Sequence, residues 1–273
     1  MLLPHAVPIL VVLTATAAFA LVASGGWPGL GPMIWLLGSM LGGQVAVGAV
    51  NELVDADLDA VSRPDKPIPA GLVSLRGART MTIAGILAMV TLGARLGVAA
   101  LTLCALGTGV GVSYSIWFKR TIWSWVPYLV ALPLLPIWVW SALDEVDPAL
   151  FVIYPIGAAA VVAVNLAQSL PDVESDRTSG IRTLAVALGP AHARRACWGA
   201  LLLAAGLAAG LAGWLTDRPI YVWIASAAAW MLVGIDWFVW GRDARRGALA
   251  AFPCIALGAV ALGVGWAAAL VAR

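Results

Sequence analysis

Charge is scarce in this chain, and histidine is scarcer still. Of its 273 residues 11% are charged and 62% are hydrophobic, a balance that places the protein in a membrane. The formal net charge of +2 is too small to point to a nucleic-acid partner. Two histidines, His5 and His192, are too few and too far apart for a zinc site, and neither stands where a Ser/His/Asp arrangement would need it. The three cysteines, Cys104, Cys197 and Cys254, form no CxxC and read as buried small residues. No Ser/Gly linker or long run of like charge divides the chain, so residues 1–273 are expected to form a single domain. The start of the chain lacks the basic head and small-residue cleavage site of a removable signal, so the first apolar run reads as a retained span.

What the chain does have is apolar runs about as long as a helix crossing a bilayer, roughly 18 to 22 residues. Between their Gly, Pro and charge breaks they predict nine spans, near 4–24, 30–50, 77–95, 97–117, 122–142, 149–169, 195–215, 219–240 and 249–271. The fold class is therefore all-α, a polytopic bundle. All but three of the sixteen basic residues fall in the second, fourth, sixth and eighth connections, the exceptions being Arg95, Arg218 and Arg273. The positive-inside tendency then makes those connections and the N-terminus cytoplasmic in a multi-pass protein of the cell membrane. Many of the fourteen tryptophans suit interfacial anchoring, while Trp138 and Trp140 fall inside a span. The acidic group Asp144, Glu145 and Asp147 reads as a solvated loop on the other face.

Against this background the stretch "NELVDADLDAVSRPDKPIPAG", residues 51–71, holds five of the fourteen acidic residues. Asn51, Asp55 and Asp59 recur every fourth residue and form one slowly rotating stripe on a helix, with Glu52 and Asp57 pointing elsewhere. Like charges at that spacing repel, so something positive must compensate them. Asp172 and Asp176 repeat the pattern after the sixth span, 117 residues further on, with Asn165 seven residues before Asp172 and so on the same face of a continuous helix. Oxygen ligands without His or Cys suit a hard ion, and Mg²⁺ takes one or two carboxylates and completes its shell with water and phosphate. The residues thus point to a Mg²⁺-diphosphate site between two helices. Arg63, Lys66, Lys119, Arg120, Arg177 and Arg182 are candidates to offset the remaining phosphate charge. Three prolines between 64 and 69 stop the helix, and an ordered, extended loop that could lid the site is expected there.

Asn51, Asp55 and Asp59 followed by "RPDKPIPAG", then "YSIWFKRT", then "LPDVESDRTSGIRTLAVALG", resemble the UbiA superfamily of intramembrane prenyltransferases. The likeness touches spans two to seven, and the family's nine-helix layout accounts for the whole chain. It implies a helical bundle around a central cavity, with two aspartate-rich motifs holding Mg²⁺ and an allylic prenyl diphosphate whose tail lies in an apolar tunnel. By position, Asn51, Asp55 and Asp59 look like the first motif, and Asp172, Asp176 and Gly180 like the second. Lys119 and Arg120 resemble the basic pair after span four, and Arg63 a phosphate contact of the first loop. Two departures stand out: Glu52 replaces the Asp of many members, and Tyr114 lies five residues before Lys119, where many quinone-pathway members have four. The "YS" arrangement with "PIPAG" looks closer to branches that prenylate chlorophyll-type precursors, homogentisate or glycerol-based lipids.

The chemistry implied is ionisation of the allylic diphosphate and capture of the cation by an aromatic or lipid-like acceptor. Mg²⁺ and the basic residues would stabilise the leaving group. Aromatic faces near the site, Tyr114 among them, and Asn165 are candidate contacts to the cation or acceptor. A terpene cyclase would use the same metal site with intramolecular capture. A CDP-alcohol phosphotransferase would need a DGxxAR sequence that is absent, and a transporter would need carboxylates in mid-span.

Overall fold

A computed structural model describes residues 6–146, 148–240 and 244–271, so His5, Asp147, Arg242 and Arg273 lie outside it. The described residues contain helices and turns and no strand. Eleven α-helices follow in order: α1 (Ala6–Ala23), α2 (Leu30–Ser62), α3 (Leu75–Gly93), α4 (Val98–Ser113), α5 (Val126–Ala142), α6 (Ala149–Ser169), α7 (Val173–Thr178), α8 (Leu184–Leu188), α9 (Pro190–Leu215), α10 (Pro219–Trp240) and α11 (Ala244–Val271). Among the described residues seven helical segments are long and apolar enough to cross a membrane, while α1 and α5 form shorter apolar helices where the first and fifth spans are expected. Packing divides the chain into two compact units. One comprises residues 1–117 and 134–147, the other 118–133 and 148–273, with a boundary inside α5.

In the first unit α3 returns along α2 with their backbones in contact. A Cβ on Gly42 would lie 2.6 Å from the Gly85 carbonyl oxygen, and one on Gly85 would lie 2.9 Å from the Ala46 nitrogen. Only glycine permits that approach, the usual device where helices must associate without a hydrophobic driving force. Ser39 locks the same seam by donating to the Met89 carbonyl at 3.1 Å. With α3 drawn this close, α2 runs uninterrupted for 33 residues, roughly 50 Å at 1.5 Å per residue. It carries its last three turns, and the acidic stripe, beyond the length that a bilayer core requires. Pro64 ends it: the preceding Arg63 leaves helical geometry, with φ −143° and ψ 64°.

The second unit is built around α6, α9, α10 and α11. Ala204, Ala205, Ala208 and Ala212 of α9 are fully buried, on one face of small residues that lets neighbours approach closely. The cysteines behave as expected, all three buried and free. A buried ion pair that sequence periodicity does not reveal ties this unit together. Asp236 on α10 is fully buried. Its Oδ1 accepts from an Arg194 terminal nitrogen at 3.0 Å, and its Oδ2 from the Trp198 indole at 2.6 Å. The guanidinium also stacks on Trp198, 5.0 Å from the ring centroid, and packs against Gly247 of α11.

Asp236 falls in an apolar run and Arg194 beside Arg195 in a cluster that reads as a loop, so neither signals the other in the sequence. Removing one partner strands the other charge in a low-dielectric interior. Asp236→Ala is expected to cost about 3–5 kcal/mol of stability, while apolar replacement of both, Arg194→Met with Asp236→Leu, should recover most of it. Thermal or denaturant unfolding of the purified variants in detergent measures the difference.

Candidate active site

The first motif keeps the register that its spacing predicts, because α2 is continuous through Ser62. Asp55 and Asp59 are buried, at 5% and 6% exposure, Asn51 is half-buried, and Asp57 faces out. Glu52 departs from the expectation that it points away. It is the most buried acid of the stretch, at 3%. Seven residues separate it from Asp59, two helical turns within about 20°, so the two acids share a face. The four-residue stripe rotates about 40° at each step and hides this second alignment.

Lys66 meets both acids. Its Nζ donates to Asp59 Oδ2 at 2.7 Å and to Glu52 Oε1 at 3.1 Å. Burial opposes the ammonium charge, but hydrogen bonds and attraction from Asp59 and Glu52 together outweigh it and raise the Lys66 pKa above the ordinary lysine value. The lysine's share of this stabilisation is therefore full across neutral pH and is lost as pH rises through that raised value. The segment that delivers Lys66 is compact, not extended as the prolines suggest. Lys66 N–H donates to Arg63 O, Ala70 N–H to Lys66 O, and Val73 N–H to Pro67 O, at 3.1, 2.8 and 3.0 Å. Proline forbids the helix but favours successive turns, and these fold the loop back towards α2. Ser74 then caps α3, accepting from Gly77 N–H at 3.0 Å.

The second motif is built differently. A 3₁₀ turn at Leu170–Asp172 interrupts the helix at Pro171, so Asn165 and Asp172 do not share the register of one continuous α-helix. Asn165 is buried on α6, Asp172 is exposed, and Asp176, half-buried on α7, feels the Asp172 charge. Gly180 closes α7. Ile181 N–H donates to Asp176 O at 2.9 Å and Gly180 N–H to Arg177 O at 3.3 Å, with Gly180 at φ +74°. This is a Schellman ending, which explains the glycine of the motif as a helix stop.

The basic residues also divide between the units. Arg63 caps α2 and is exposed, with Lys66 just beyond it. In the second unit Arg182 N–H donates to the Arg120 carbonyl at 3.2 Å, bringing the segment of Lys119 and Arg120 to the chain that follows the second motif. Arg120, Arg177 and Arg182 are exposed and Lys119 is half-buried. Tyr114 opens a π-helical turn, Tyr114–Phe118, a rare geometry that recurs at functional sites.

Both motifs offer oxygen donors alone, and the buried carboxylates of the first already hold a cation in the form of the Lys66 ammonium. That donor chemistry fits a hard divalent ion. Among the described residues no group of three or more His, Cys, Asp or Glu is arranged to hold a metal by itself. An ion here would keep water or phosphate oxygens in its shell, the habit of Mg²⁺.

The model of the UbiA prenyltransferase family matches residues 11–260. The digeranylgeranylglyceryl phosphate synthase of Natronomonas pharaonis is 31% identical over 147 residues, 53% of this chain and 52% of that protein. The bacteriochlorophyll synthase 33 kDa chain of Cereibacter sphaeroides is 34% identical over 191 residues, 64% of this chain and 62% of that protein. The chain thus spans less than two thirds of the length of either relative. A UbiA homolog from Archaeoglobus fulgidus, solved bound to GPP and Mg²⁺, shares the fold with a TM-score of 0.68, at 19% identity over 93% of this chain and 99% of that one.

The helix stop of the second motif provides a test of its local architecture. A Cβ on Gly180 meets nothing within 4 Å, so any penalty comes from the left-handed backbone alone. Gly180→Ala should cost about 1–2 kcal/mol, and Gly180→Asn less, because Asn tolerates that conformation. Gly199→Ala, in a helix with equally open space, should cost nothing. Unfolding midpoints of the three variants check the order.

Proposed function

The chain belongs to the UbiA prenyltransferase family, and from that premise we propose that it transfers a prenyl group from an allylic prenyl diphosphate to an aromatic or lipid-like acceptor within the membrane, with Mg²⁺ as cofactor. The observation that carries this reading is the buried, cation-compensated carboxylate face at the end of α2. A solvated helix end would have no reason to bury three acids within eight residues. The two relatives are a digeranylgeranylglyceryl phosphate synthase and a bacteriochlorophyll synthase chain, and the Archaeoglobus fulgidus homolog was solved bound to GPP and Mg²⁺, which supports the same chemistry.

Asp55 and Asp59, with Asn51, would serve as oxygen ligands of the first motif, and Asp172 and Asp176 as those of the second. When bound, Mg²⁺ supplies the positive charge that stabilises the leaving diphosphate. Arg63, Lys66, Lys119, Arg120, Arg177 and Arg182 add fixed or mobile positive charge for the phosphate oxygens. Tyr114 and Asn165 are the candidates for contact with the cation or the acceptor. Apolar surroundings would have to exclude water from the reactive cation.

The seven long spans extend to nine when α1 and α5 also cross. At 18 and 17 residues they reach roughly 26 Å, near the thickness of a thin hydrocarbon core. The basic connections then face the cytoplasm of a cell-membrane protein, together with the N-terminus and both motifs.

The test uses the full chain in detergent with Mg²⁺, radiolabelled prenyl diphosphates of several lengths, and a lipid extract as acceptor pool. Diphosphate release should require Mg²⁺, and Asp55→Ala or Asp172→Ala should each lower it by on the order of 100-fold or more. Label should move into an extract-dependent product. A labelled hydrocarbon or alcohol made without extract would replace transfer by cyclisation, and release that survives both substitutions would overturn the site.

A further inference from the structure

Among the candidate phosphate ligands, Lys66 has its ammonium on the acids of the first motif itself. It lies 2.7 Å from Asp59 Oδ2 and 3.1 Å from Glu52 Oε1, and these acids are 6% and 3% exposed. Its backbone is fixed by the turns from Arg63 to Val73. The side chain is a flexible four-carbon stem ending in a point charge, able to change partners while the loop stays in place.

A divalent ion on the Asp59 carboxylate would stand within a few ångströms of that ammonium. At such a distance, in poorly solvated surroundings, two cations repel strongly. The ammonium on Asp59 Oδ2 therefore weakens the hold of that carboxylate on a metal. A diphosphate changes the balance because its oxygens offer the ammonium a new acceptor and add negative charge.

Resting on the prenyl-diphosphate reading above, we propose that Lys66 is a built-in counter-cation of the first motif that couples metal binding to diphosphate binding. Without a diphosphate the ammonium bridges Asp59 and Glu52 and disfavours a lone metal ion. When a diphosphate arrives, Lys66 transfers its hydrogen bonds to phosphate oxygens and releases Asp59 to the metal that travels with it. Glu52 is the positioning residue of this device. It is buried on the same helical face as Asp59 and keeps the ammonium aligned with the motif. The pairing also offsets the repulsion between Glu52 and Asp59 on their shared face.

The experiment compares wild type, Lys66→Gln, Lys66→Met and Lys66→Arg as full-length protein in detergent, with thermal unfolding run on each. Lys66→Gln retains hydrogen-bond donors for Asp59 and Glu52 and so preserves the loop. Mn²⁺ alone is titrated and read by electron paramagnetic resonance of the free ion. A non-ionising geranyl thiolodiphosphate is then titrated at saturating Mg²⁺. Removing the charge should tighten Mn²⁺ binding about tenfold and weaken thiolodiphosphate binding by a similar factor, with Lys66→Arg close to wild type in the first titration.

Neutral variants that bind Mn²⁺ alone no tighter than wild type would overturn the counter-cation role. If Asp55→Ala and Asp172→Ala, titrated beside them, also bind the thiolodiphosphate as tightly as wild type, the prenyl-diphosphate reading fails with it. If the dependence on Asp55 and Asp172 holds and only the Lys66 shift is missing, the failure belongs to this proposal alone.

Discussion

Three carboxylates buried on one helix face cannot stand without positive charge, and much of the molecule around them follows from that constraint. Glu52, Asp55 and Asp59 are each less than 7% exposed, in surroundings where unpaired charge is costly. Lys66 supplies part of the compensation from a loop whose turns have no other evident purpose than to return it to α2. The loop in turn depends on Pro64, which ends α2 one turn past Asp59. A helix that ran on would carry position 66 away from the acids it neutralises.

The acids need a rigid support, and each unit provides one by different physics. In the first, glycine contact between α2 and α3 fixes the long helix that bears the stripe. In the second, alanine faces pack α9 and its neighbours, and the Arg194–Asp236 pair with Trp198 joins α9 to α10. Buried ion pairs seldom add net stability over an apolar core, but they penalise misalignment heavily. Here the penalty falls on α9, which the short α8 separates from the second motif.

The sequence made the α-helical, membrane-spanning class and both acidic motifs legible, since run length and four-residue spacing act over short distances. The first motif is the clearer case: a continuous helix preserves its register. The second is read less well because Pro171 introduces a 3₁₀ turn, which changes the rotation per residue and separates Asn165 from Asp172. Glu52 escapes notice because its partner lies seven residues on and is bridged by a lysine that only the folded loop brings near. Asp236 escapes because a lone acid in an apolar run has no periodic signature. The expected extended loop is wrong for a local reason: prolines exclude helix without choosing between extension and turns. The sequence resembles chlorophyll-type, homogentisate and glycerol-lipid branches alike, and the two relatives carry names from the first and the last of these.

Fold and chemistry meet in the exchange of one cation for another on a fixed set of acids. The most direct test is a structure of the protein with Mn²⁺ and a prenyl thiolodiphosphate, using anomalous scattering to locate the metal. The account predicts metal within about 2–2.3 Å of carboxylate oxygens from both motifs, with the Lys66 ammonium on phosphate oxygens instead of Asp59. Metal remote from Asp55, Asp59, Asp172 and Asp176 would contradict it.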